Sequence, residues 1–202
     1  MASKKQKKSK AEKKTEIKDK KNNKEKPKEK IIKIKAVFDG EFVFSNKKEA
    51  MALHAQSRFG ELKSGKIIYS TFEALYLLER GKMEVSLGKK KLKFEQLLEE
   101  ARKKDKNIRT KYIVFRDMRN RGFIVKTALK FGADFRIYDR GIKPGEDHAK
   151  WILYPVSETS SLTWHDFSAK NRVAHSTKKN LLIGIVDEEE DVTYYEIRWL
   201  KP

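Results

Sequence analysis

Two hydrophobic periods divide the chain into short elements. In "IIKIKAVFDGEFVFS" (31–45) apolar residues form two runs around Asp39-Gly40, a turn pair that favours a β-hairpin. A helix is predicted from Asn46, with Glu49 at the capping-box position and Gly60 as its stop. "KIIYS" reads as a strand, and Ser70 with Glu73 opens a second helix, "TFEALYLLERG", which ends at Gly81. "MEVSL" is another strand and "FEQLLEEARKKD" a third, amphipathic helix. Residues 31–105 thus read as a small N-terminal α/β domain without obvious chemistry, and the charged run "RKKDKNIRTK" as its boundary.

Residues 106–202 read as a second domain. It opens with the helix "YIVFRDMRNRG", capped by Gly122, followed by strand-like "FIVKTALKF" and "DFRIY". A loop rich in Gly, Pro and charge leads to the strand "WILYPV". Thr163 and Asp166 then make a capping box before "WHDFSAKNRVAHSTKK". Two last strands, "LLIGIVD" and "VTYYEIRWL", flank the acidic turn "EEED". This order predicts a mixed sheet flanked by helices, an α/β (α+β) fold.

Charge changes the picture at the N-terminus. Of a net charge of +19, residues 1–30 carry +9, from 14 lysines against five acids. With almost no apolar residue that segment cannot offset the entropy of ordering itself, and it reads as a disordered basic tail, either a solubility aid or a loose attraction for RNA. The other 172 residues hold 34 basic and 24 acidic side chains, a surplus that suggests a polyanionic partner. A membrane partner is the weaker reading, since no apolar run approaches the ~18–20 residues of a spanning helix. The start of the chain lacks a signal-peptide core, so a cytoplasmic location is expected. Without cysteine there is neither a disulfide framework nor a thiolate zinc site, and four scattered histidines make a metal cluster improbable.

Asp39 with Glu61-Leu62-Lys63 loosely fits a metal-dependent nuclease pattern, but in a chain that is 38% charged such triplets arise by chance. No phosphate-binding glycine loop or nucleophile elbow occurs. Metal-free RNA cleavage needs a base for the 2′-hydroxyl, an acid for the leaving 5′-oxygen, and a cation for the charge gathering on phosphorus. Histidine suits the acid, lysine or arginine the cation, and a tyrosine can act as base where cations favour its phenolate. Tyr138, His148 and a later lysine offer these functions. A tyrosine at a strand end is more often packing, however, and a loop histidine more often solvated, so spacing alone leaves both readings open.

The segments "YIVFRDMRNRGFIVKTALKFGADFRIYDRG…EDH" and "NRVAHSTKKNLLIGIVDEEEDVTYYEIRWLKP" strongly resemble the archaeal tRNA-intron endonucleases, the tRNA splicing endonuclease family. The resemblance covers residues 111–202 and, more weakly, 31–105. It implies a catalytic triad of Tyr138 as base, His148 as acid and Lys179 as phosphorane stabiliser, with Lys178 beside it at a position that is usually basic. It also implies excision of introns from precursor tRNA at a bulge–helix–bulge, leaving a 2′,3′-cyclic phosphate and a 5′-hydroxyl, with no metal or other cofactor.

Family members hold a bulge base between two flat side chains. Arg172 matches the first, and Trp199, or the adjacent Arg198, is the candidate for the second; Trp199 as a core residue beside Tyr195 and Ile197 is the alternative. The resemblance further implies a homotetramer in which the acidic loop Asp187, Glu188, Glu189, Glu190 and Asp191 docks on a basic surface of a neighbouring subunit. His54, His165 and His175 receive no role, His175 reading as structural. The other class compatible with this sequence is a basic RNA-binding or structural subunit of a heteromeric enzyme, against which a complete Tyr/His/Lys set argues.

Overall fold

A computed structural model of the chain describes residues 33–200, apart from residues 129–131, 143 and 146; the tail at 1–30 lies outside the described residues. Six strands form the first sheet: β1 (Ile34–Phe38), β2 (Val43–Ser45), β3 (Glu61–Lys63), β4 (Lys66–Tyr69), β5 (Met83–Leu87) and β6 (Lys90–Leu92), in the order β3-β4-β2-β1-β5-β6. Only β1 and β5 pair in parallel. Alternation in β1 buries Ile34, Ala36 and Phe38 and exposes the lysine between the first two. Asp39 turns the chain as expected, its carboxylate accepting the N–H of Glu41 and Phe42, but Phe38 pairs with Val43 across a four-residue loop. That use of Asp39 is local turn chemistry. Glu61 and Lys63 pair with each other on an exposed hairpin strand.

Three helices accompany this sheet: α1 (Lys48–Ser57), α2 (Thr71–Glu79) and α3 (Phe94–Arg102). The α2 capping box is present, with Ser70 and Glu73 bonding each other's backbone N–H. For α1 the sequence expectation needs correcting. Its N-cap is Lys47, with no side-chain cap, rather than Asn46, and its C-cap is Arg58 in the left-handed region rather than Gly60.

Gly60 has a different duty. A Cβ on it would stand 2.3 Å from Ile67 Cγ2, and its backbone N–H and C=O serve a buried ion pair. The Glu73 carboxylate accepts from Gly60 N, Ser70 N and Ser70 Oγ, and pairs with Lys126 Nζ at 2.7 Å. Lys126 stands in β7 (Ile124–Thr127), a strand of a second sheet, so this cluster links the two sheets through α2.

Helix α4 (Ile108–Asn120) starts inside the charged run read as a boundary, because Ile108, Tyr112, Ile113, Val114, Phe115 and Met118 give it a continuous buried stripe. It lies against the second sheet, made of β7 (Ile124–Thr127), β8 (Phe135–Tyr138), β9 (Trp151–Ser157), β10 (Asn180–Val186) and β11 (Val192–Ile197), in the order β11-β10-β9-β8-β7. The strand read over 123–131 ends at Thr127; positions 129–131 of that reading lie outside the described residues. Gly184 lets α4 approach β10 closely, since a Cβ there would meet Val114 at 3.1 Å.

β9 and β10 are parallel, and α5 (Trp164–Ser176) makes the crossover. Residues of α4 pack with Phe135, Ile137, Leu153 and Leu182, while Ala174 of α5 packs with Ile152, Tyr154, Leu181 and Ile183. The fold is therefore mixed α+β, with the second sheet sandwiched between helices. Among the described residues no helix is long and apolar enough to cross a membrane.

Candidate active site

Strand directions decide where distant residues meet. β8 runs antiparallel to β9, so its last residues lie beside the first of β9; β9 and β10 are parallel, so their first residues are neighbours. Two backbone bonds close this corner: Lys150 N–H donates to Ile137 O at 2.8 Å, and Asn180 N–H to Lys150 O at 3.0 Å. Tyr138 follows Ile137, His148 precedes Lys150 by two, and Lys179 precedes Asn180. All three side chains line one cavity of about 340 Å³, together with Arg136, Gly145, Asp147 and Ala149.

Each side chain is held differently. Tyr138 is 5% exposed and shares its strand face with Arg136, whose guanidinium carbon lies 5.9 Å from the phenol ring centroid. His148 is exposed, and its backbone N–H donates to Asp147 Oδ1. Lys150 pairs with Asp139 at 3.3 Å, joining the two ends of the loop that carries His148.

Lys179 leaves α5 through a tight exit. Lys178 takes the left-handed region (φ 55°), Lys179 N–H returns to Ala174 O, and its ammonium donates to Thr177 O at 2.7 Å. Burial first, and the Arg136 charge second, hold the Lys179 ammonium below its ordinary pKa. The corner thus gathers a phenol, an imidazole and two cations, a set able to move protons and receive a phosphate. Among the described residues no group of three or more His, Cys, Asp or Glu is placed to hold a metal ion.

The other expected residues separate. Trp199 is 56% exposed and so is not a core residue; it lies against His175, with ring centroids 4.5 Å apart. His175, read as structural, is itself exposed. Trp199, Arg198 and Asn171 line a second, shallow cavity that Lys178 and Lys179 also border; Arg172 is exposed on α5 and does not line it.

In the acidic turn, Glu188 and Glu189 are exposed, whereas Glu190 turns onto its own chain and pairs with Arg109 at 2.6 Å and Arg116 at 3.4 Å. Asp187 accepts the Asp191 N–H. Sequence reasoning missed Arg136 as a site residue, although the strand period alone puts it on the Tyr138 face.

Comparison with known proteins places these features in a family. Residues 34–98 match the N-terminal domain of the tRNA intron endonucleases, and residues 108–194 their catalytic C-terminal domain. A tRNA-splicing endonuclease of Thermococcus onnurineus is 45% identical over 163 residues, 80% of this chain and 94% of the relative. One from Methanothermobacter thermautotrophicus is 39% identical over 153 residues, 76% and 89% of the two chains. One from Nanoarchaeum equitans is 43% identical over 136 residues, 64% and 87%. With both domains matched and relatives at this identity covered almost end to end, the chain belongs to the tRNA intron endonucleases, and it is an endonuclease of tRNA splicing.

Proposed function

We propose that the cavity at the β8–β9–β10 corner excises introns from precursor tRNA by cutting at a bulge–helix–bulge. The convergence of Tyr138, His148 and Lys179 on one cavity carries this reading. Tyr138, as phenolate, takes the proton of the 2′-hydroxyl at the cut nucleotide. The 2′-oxygen forms a bond to phosphorus as the bond to the 5′-oxygen breaks, and His148, as imidazolium, gives that oxygen its proton. Lys179 offsets the extra negative charge on the phosphorane oxygens. The products are a 2′,3′-cyclic phosphate and a 5′-hydroxyl.

These three side chains supply base, acid and cation, so the scheme needs no metal. Full activity is expected in excess chelator, and none on a substrate with a 2′-deoxy nucleotide at the cut. Cleavage of the deoxy substrate would show a hydrolytic nuclease and overturn the scheme.

The exposed Trp199 indole next to this corner is suited to stack on an unpaired bulge base, worth ~1–3 kcal/mol, with Arg172 as its proposed counterpart. Two bulges call for two positioned active sites, which a symmetric homotetramer provides. The exposed Glu188 and Glu189 are the part of the acidic turn offered to a basic neighbour, since Glu190 is engaged within the chain. Glu188→Lys with Glu189→Lys should split the assembly into smaller folded species, because like charges would then face each other across the contact. Light scattering checks it; a charge-reversed chain that remains a tetramer would place this turn in solvent.

A further inference from the structure

Among the described residues, Arg136 is the one cation lining the cavity that the triad leaves without work. It precedes Tyr138 by two residues on β8 and opposes Ile152 across the sheet, so its side chain emerges on the α5 face of the sheet and borders the cavity. Among the described residues its buried Nε has no hydrogen-bond partner, and no carboxylate is paired with its guanidinium. A buried donor left unmet is destabilising, more so on a charged group. A second positive group close by, the Lys179 ammonium, adds repulsion. Packing on the Tyr138 ring offsets part of this but leaves the Nε–H donor unused. Two cations converging on an open cavity, one with an idle donor, describe a receptor for a single anion carrying several acceptor oxygens.

We propose that Arg136 is a fourth functional residue of this cavity, binding a non-bridging oxygen of the scissile phosphodiester so that the phosphate sits between Arg136 and Lys179. The inference rests on the reading of the cavity as the RNA-cleaving site. The planar guanidinium fork suits phosphate oxygens better than a second ammonium would. Before substrate arrives, the same guanidinium weakens the proton affinity of Lys179. Around Lys179 stand Arg136 and Tyr138 from β8, Asp147 and His148 from the loop, His175 from α5 and Arg198 after β11.

The test uses the full chain, a bulge–helix–bulge RNA, and the Arg136→Gln and Arg136→Lys variants, with folding checked by thermal unfolding. Glutamine should lower kcat/KM by about 10²–10³-fold, the range for losing one oxyanion donor. Lysine, which restores charge without the fork, should fall between glutamine and wild type.

The pH profile separates phosphate binding from mere packing. In Arg136→Gln the alkaline limb of kcat/KM set by Lys179 should move to higher pH, because the neighbouring charge is gone; in Arg136→Lys it should stay. Either variant at the wild-type rate, or an alkaline limb that does not move in Arg136→Gln, would overturn the proposal and leave Arg136 as packing for Tyr138. Should Arg136→Gln fail to fold, the rate of Arg136→Lys decides alone. A wild-type chain unable to cut the RNA would instead remove the catalytic reading itself.

Discussion

His148→Ala and Lys179→Ala should each lower kcat by about 10²–10⁴-fold while leaving affinity for a non-cleavable 2′-deoxy substrate nearly unchanged. Both groups act most strongly on charge that exists only in the transition state, so their loss removes little ground-state binding. Tyr138→Phe should cost less, because solvent can accept the 2′-hydroxyl proton. Single-turnover cleavage with a parallel binding measurement decides the matter. A variant that loses affinity in step with rate would make these residues binding groups.

The sign of the pH effect follows from Lys179. It acts as a cation, and burial together with Arg136 depresses its proton affinity. The stabilising charge is therefore fully present at low pH and lost as pH rises through the lowered value, earlier than for an exposed lysine. In kcat/KM, which reports the free enzyme, an alkaline decline should begin below the ordinary lysine range and be absent from the residual activity of Lys179→Ala. Lys178→Ala should cost far less, since Lys178 is exposed at the turn and does not line the main cavity.

The second large effect is on stability. Glu73→Ala should destabilise the fold by roughly 3–5 kcal/mol, because it strands the Lys126 ammonium in the interior and removes the acceptor of the Gly60 and Ser70 N–H groups. For a chain of this size that is a fall in melting temperature of about 10 °C. Lys126→Met combined with Glu73→Gln should cost less than the sum of the single changes, since a neutral amide can still accept at Oε1 and no charge is left unpaired. Denaturant unfolding followed by two probes measures it. Additive effects would mean that the pair contributes no coupling between the two sheets.

Period and capping made most of this architecture readable. Ser70 with Glu73, and Thr163 with Asp166, announced two helix starts that the structure places where expected. β3 and β6 were unreadable because three residues each, nearly all exposed, carry no hydrophobic period. The start of α4 was hidden by the charges around Ile108, which tertiary burial overrides.

Chemistry was less legible than fold. Nothing in the spacing of Tyr138 and Lys179 shows that a parallel crossover returns the chain to the same corner; only the resemblance joined them. Lys126 and Glu73 are 53 residues apart, and Arg109 and Glu190 are 81 apart. Such pairings are decided by which strands become neighbours, and no local window contains that information.

The corner has a manufacturing consequence. Tyr138, His148 and Lys179 are each within two residues of a peptide group fixed by the bonds between Lys150 and Ile137 and between Asn180 and Lys150. The reactive groups are thus jigged by three strand ends, and the turn after β8, closed by the Ile142 N–H on Asp139 O, lies outside those clamped points. Insertions or deletions at Gly141, which does not line the cavity, should be absorbed by that turn, leaving the tool face where it was. Evolution can then remodel that turn to suit different RNA shapes without recalibrating the cut.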